Sequence, residues 1–215
     1  MKLRLPLVQA NAAEISNGAS SWVHISAEKP AWLRAMRPVA IVLCGSAFVA
    51  VCAHIALPLF FTPVPLSLAP FPVLLLGLLL RPRLAAATLA VYLAEGAMGL
   101  PVFGPTAATP SELAHLIGPT GGYLMAYPPA AALIAFLFRQ VPWGKRGFAT
   151  AALSAAAGAL LILLAGAAWL SLLSHLSLIA ALQPAVFPFL PGDALKVVAA
   201  ASLAAGWARL RRVSQ

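Results

Sequence analysis

Residues 147–196 read GFATAALSAAAGALLILLAGAAWLSLLSHLSLIAALQPAVFPFLPGDALK. The stretch from 147 to 192 carries no Asp, Glu, Lys or Arg, and then Asp193 and Lys196 arrive together. About 20 apolar residues suffice to span a bilayer. The run therefore holds one crossing and the approach to another. Residues 38–80 form a second run without those four residue types. An ionisable pair beside such a run is costly at membrane depth and marks a functional site by default.

Working outward, the whole chain of 215 residues is 62% hydrophobic and 9% charged. Soluble domains carry about 25% charged residues. Thirteen of the fourteen Lys and Arg residues lie outside the apolar spans; Lys196 is the exception. They occur before residue 38, at Arg81 and Arg83, at Arg139, Lys145 and Arg146, and at Arg209, Arg211 and Arg212. The loops at 58–65, 99–119 and 174–190 have none. Basic residues collect on cytoplasmic loops. Six spans with both termini cytoplasmic satisfy every loop, and an odd number does not. The expected spans are 39–57, 66–80, 84–98, 120–138, 148–173 and 193–208.

The fold class expected is thus an all-α membrane protein of six transmembrane helices, residues 37–212, behind a polar cytoplasmic tail, residues 1–36. That tail lacks the apolar core of a signal peptide. The net charge of +9 does not point to nucleic acid, because the basic residues flank apolar segments instead of clustering with aromatics. That placement is the positive-inside pattern, together with contact to membrane lipid. Cys44 and Cys52, in one apolar run, read as small buried hydrophobes.

Candidate functional residues follow from cost and spacing. Asp193 and Lys196 stand at i, i+3 and share a helix face. As a plain structural feature they are a capped helix start with a local ion pair, since Asp is a good N-cap. A Lys one turn inside a span must reach water or face a polar cavity. Gly118-Pro119-Thr120-Gly121-Gly122-Tyr123 opens the fourth span. Thr120 can cap it, and Gly121 and Gly122 admit close approach by a helix or a ligand. Phe103, Tyr123 and Trp169 are candidate pocket aromatics, with interfacial anchoring or core packing the better reading for Trp169. Glu95 lies near the end of its span, where it can reach the interface. His54, His115 and His175 have no metal spacing. No Walker loop, H-E-x-x-H or G-x-S-x-G motif occurs. Neither an enzyme nor a cofactor is expected, and any energy must come from a partner or an ion gradient.

Three blocks together resemble a known family: Gly99-Leu100-Pro101-Val102-Phe103, Gly118-Pro119-Thr120-Gly121-Gly122-Tyr123-Leu124, and Phe189-Leu190-Pro191-Gly192-Asp193-Ala194-Leu195-Lys196. Their order and spacing, with the Pro63-Val64-Pro65 turn, resemble the BioY family. Its members are biotin-specific substrate-binding (S) components of energy-coupling-factor transporters. The resemblance covers residues 38–208. It implies a multi-pass protein of the cell membrane that takes biotin from outside. It also implies a transmembrane coupling protein and two cytoplasmic ATPase subunits as partners. Asp193 and Lys196 would then supply polar contacts to the ligand, and Tyr123 with its adjoining glycines would line the pocket. An S component for another small compound, or a structural membrane protein in which Asp193 and Lys196 only pin helices, are the alternatives.

Overall fold

Prolines decide where several helices of this chain begin. The computed structural model describes residues 31–57, 59, 64–104 and 112–213. Contacts divide the chain into two units, residues 1–37 and 38–215. The tail expected at 1–36 lies outside the described residues up to position 30. Helix α1 runs Ala31–Ala53. A two-stranded antiparallel hairpin follows, β1 (Ala56–Leu57) against β2 (Leu66–Ser67), with Ala56 opposite Ser67 and Leu57 opposite Leu66. Pro63, the first residue of the expected Pro63-Val64-Pro65 turn, lies outside the described residues.

Next come α2 (Pro70–Leu79), α3 (Pro82–Ala97), the short α4 (Glu112–Ile117) and α5 (Gly121–Met125). Then follow α6 (Tyr127–Gln140), α7 (Phe148–Ser174), α8 (Leu178–Ala185) and α9 (Leu190–Val213). Pro70, Pro82 and Pro128 stand in the first turns of α2, α3 and α6. The N–H that proline lacks has no intrahelical partner at a helix start, so nothing is lost there.

The expected spans map unevenly onto these elements. The fifth is α7, a continuous helix of 27 residues. The fourth is broken at Ala126 into α5 and α6, where Pro128 and Pro129 start a new helix. The second is a strand followed by a helix of only 10 residues, because Pro70 and Pro72 cannot donate to an earlier turn. The sixth starts at Leu190, not at Asp193, and the basic-free segment before it contains α8. By length and composition three helical stretches among the described residues can cross a membrane: Met36–Ala53, Gly121–Gln140 and Phe148–Ser174. The pair α8–α9, bent by 64° at its break, makes a fourth if taken as one span.

The core divides in two along the bundle. One half joins Leu74, Leu78, Ile134 and Phe138 to Ala151, Ala155, Ala200, Ala201 and Ala204. It locks α2, α6, α7 and α9 together through small side chains, which let helices approach closely in lipid. Ile134 is the clearest case: a Cβ added at Gly77 or Gly158 would collide with it. The other half, from Val49, Val64 and Val73 to Leu163, Tyr123 and Phe189, surrounds the cavity described next.

Candidate functional site

Asp193 occupies the first turn of α9. Its own N–H already donates to the Phe189 carbonyl at 2.8 Å. The residue therefore does not cap the helix; its carboxylate is left for other work. Lys196 Nζ donates to Asp193 Oδ1 at 2.7 Å, and both residues are 8% exposed. Among the described residues Asp193 Oδ2 has no hydrogen-bond partner, yet no buried side-chain oxygen or nitrogen there lacks one. Oδ2 must accordingly open to a space, and that space is a cavity lined by both residues. A buried ion pair recovers its desolvation cost only when its remaining lone pairs and protons are also satisfied. Here both members of the pair line the cavity.

The cavity measures about 670 Å³ counted to its open mouth. Aromatic rings form much of its wall. Tyr92 stacks with Tyr127, centroids 6.4 Å apart, and meets the edge of Phe103 at 5.3 Å. Phe103 continues to His115 at 5.8 Å. Tyr123 packs on Phe189 at 6.1 Å on another part of the wall. Apolar area with a few fixed polar groups is the usual composition of a ligand pocket.

Hydrogen bonds hold this lining rigid. Tyr123 Oη donates to the Ala185 carbonyl at 2.7 Å, and Tyr92 Oη to the Val102 carbonyl at 3.2 Å. Glu112 accepts from the Phe103 N–H at 3.0 Å. His115 Nε2 pairs with the Gly104 carbonyl at 3.0 Å. Gly104 lies against the end of α1, where an added Cβ would strike the Ala53 carbonyl. The hydroxyl of Tyr127 differs from those of Tyr92 and Tyr123. It has no hydrogen-bond partner among the described residues, although the residue is only 4% exposed. By the same reasoning as for Asp193 Oδ2, it opens to the cavity.

Of the residues singled out in the sequence, Asp193, Lys196, Tyr123, Thr120 and Phe103 meet in this lining. Thr120 does not cap α5; its hydroxyl donates to the His115 carbonyl at 2.9 Å. Gly121, Gly122 and Trp169 lie behind the lining. A Cβ on Gly121 would meet the Leu116 carbonyl, and one on Gly122 the Trp169 side chain and the Ala165 carbonyl. Trp169 Nε1 donates to the Gly118 carbonyl at 2.8 Å. These three seat α5 on α7 and so aim Tyr123 into the cavity. Glu95 is held by the Ser46 hydroxyl, which ties α3 to α1. Tyr92 and Tyr127 were not legible as lining residues, because nothing in an apolar span marks which face meets a cavity; His115, in the 99–119 loop, was set aside for want of metal spacing.

The chain matches the BioY family over residues 22–213. It is 38% identical over 142 residues to the probable biotin transporter BioY of Pyrococcus horikoshii, covering 66% of this chain and 79% of that protein. It is 35% identical over 159 residues to the biotin transporter BioY of Thermotoga maritima, covering 74% and 88%. It is 31% identical over 158 residues to the biotin transporter BioY2 of Lactococcus lactis, covering 74% and 82%. Among solved structures it resembles the S-component for biotin from an ECF-type ABC transporter. The TM-score is 0.72 at 25% identity, covering 83% of this chain and 93% of that one.

Proposed function

Since this chain belongs to the BioY family, we propose that it is the membrane-embedded S component that captures biotin for uptake, in the cavity lined by Asp193, Lys196 and Tyr127. It is a multi-pass membrane protein and a transport subunit, not an enzyme. The observation that carries the ligand assignment is the composition of the cavity: an aromatic wall, one buried ion pair and one unengaged hydroxyl.

Biotin presents the matching chemistry. Its ureido group has two N–H donors and one carbonyl acceptor. Its bicyclic ring and aliphatic chain are apolar, and the chain ends in a carboxylate. Asp193 Oδ2 accepts from N–H groups, and Lys196 donates to a carbonyl or carboxylate. Tyr127 Oη does either. Tyr92, Phe103 and Tyr123 pack on the ring and chain. Gly121, Gly122 and Trp169 act through the seating of Tyr123, and Thr120 through its hold on His115.

The chain crosses the membrane six times in this reading: α1, the hairpin strand with α2, α3, α5 with α6, α7, and α9. Residues 37–212 form the membrane domain and residues 1–36 a cytoplasmic tail. Both termini are cytoplasmic, and the cavity opens to the outside. The charge distribution supports this. Tyr127 of the cavity and Arg139 belong to the same helix, about 18 Å apart along it. Arg81, Arg139 and Arg146 gather at the end remote from the cavity, as cytoplasmic loops require. The chain has no nucleotide-binding loop, so the energy comes from a coupling protein and two ATPase subunits. No cofactor is needed; biotin is cargo.

A calorimetric titration of the detergent-purified chain tests the proposal. Saturable binding of biotin at one site per chain is the expected result. Absence of heat with biotin in folded protein would overturn it.

A further inference from the structure

The second cavity lies at the other end of the bundle, and it is built from arginines. Arg81 follows α2, Arg139 ends α6 and Arg146 precedes α7, yet all three line one space of about 850 Å³. Leu78, Phe138 and Trp207 supply its apolar side. Like charges brought together by separate segments repel one another, and among the described residues no carboxylate offsets them. The acidic residues among those described are Glu95, Glu112 and Asp193. Each is engaged elsewhere, by Ser46, by the Phe103 N–H and by Lys196 respectively.

The arginines are not equivalent. Arg146 is fixed by donating to the carbonyls of Val141 at 2.9 Å and Arg139 at 3.0 Å, with its guanidinium 5.6 Å from the Phe138 ring centroid. The side chains of Arg81 and Arg139 make no hydrogen bond or ion pair among the described residues. Two unengaged guanidiniums beside a fixed third form a fork suited to phosphate oxygens. The apolar side suits an acyl chain, and Trp207, 52% exposed, sits as interfacial aromatics do. Basic pockets between transmembrane helices take lipid headgroups.

We propose that this cavity binds the phosphate of one anionic phospholipid, with Arg81 and Arg139 on its oxygens and the acyl chain against Leu78 and Phe138. The proposal rests on the membrane-spanning reading above but not on the cargo.

Native mass spectrometry of the full chain, released from micelles containing phosphatidylglycerol or phosphatidylcholine, tests it. The wild-type chain should retain one phosphatidylglycerol and no phosphatidylcholine. Arg81→Gln/Arg139→Gln should weaken that retention roughly 30-fold, at about tenfold or less per lost charge. Arg83→Gln/Lys145→Gln removes the same charge outside the cavity and should leave retention within about threefold of wild type. Biotin binding by each variant reports folding, since neither pair touches the first cavity. If biotin fails to bind the wild type while phosphatidylglycerol is still retained, the cargo reading falls and this one stands. Equal retention of both lipids by the wild type would overturn the proposal even if the variants misfold. So would equal loss in the two double variants. Displacement of the lipid by millimolar inorganic phosphate alone would reassign the site to a free phosphate and overturn the lipid assignment.

Discussion

Tyr123 and Ala185 are 62 positions apart, and the hydroxyl of the first donates to the carbonyl of the second at 2.7 Å in a buried setting. The bond joins α5 to the last residue of α8, just before the chain bends into α9. Tyr123→Phe leaves that carbonyl buried without its donor. An unsatisfied buried group costs about 1–3 kcal/mol. Thermal unfolding in detergent should show the loss, and an unchanged midpoint would mean that the carbonyl finds another partner.

Tyr127→Phe should behave in the opposite way. Its hydroxyl has no hydrogen-bond partner among the described residues, so the unfolding midpoint should stay at the wild-type value. Biotin affinity should fall roughly 2–12-fold, the worth of one neutral hydrogen bond. Normal affinity in this variant would remove Tyr127 from the ligand contacts.

The ion pair should be the larger determinant. Lys196→Ala removes a donor and leaves Asp193 as an unpaired buried carboxylate. Hydrogen bonds involving charged groups are worth about 1.5–3 kcal/mol, so biotin binding should weaken roughly 10–150-fold. Asp193→Asn keeps the shape and an acceptor, and should lose less than Asp193→Ala. If the pair only pinned helices, both alanine variants would lose thermal stability and bind biotin normally.

Gly122→Ala separates packing from ligand contact. Its new Cβ would press on Trp169 and the Ala165 carbonyl. Overpacking of this kind costs about 1–3 kcal/mol. The folded fraction should still bind biotin. A selective loss of binding with normal stability would put Gly122 at the ligand itself.

Orientation can be read by thiol labelling in a background without the native Cys44 and Cys52, since Cys44 is exposed. A cysteine at Thr109 should react with an impermeant reagent outside intact cells. One at Gly144, where an added side chain has open space, should not. The reverse pattern would invert the proposed topology.

Much of this arrangement could be read from residue order. The limits of α7 were legible because a long uninterrupted apolar run has one helical solution. Lys196 stood out because a charge in such a run needs a reason. The hairpin at Ala56–Leu57 and Leu66–Ser67 was not legible, since two-residue strands leave no periodicity to detect. Helix α8 was hidden for another reason: its residues are as apolar as the spans beside it. Asp193 and Thr120 looked like caps by residue type, but caps depend on where the helix starts. Pro191 moved one start upstream, and the His115 carbonyl took the Thr120 hydroxyl. Tyr92 and Tyr127 escaped because a span in lipid is apolar on every side, so amphipathicity does not betray its inner face.

Helix α9 runs without a break from Leu190 to Val213. Asp193 and Lys196 near its beginning border the aromatic cavity, and Trp207 and Ala208 near its end border the arginine cavity. Such a rod has no joint at which motion can be absorbed. A tilt of roughly 5° about Asp193 carries Trp207, about 21 Å further along, through roughly 2 Å. The two cavities share a lever arm, and whatever reseats one end of it is felt as displacement at the other.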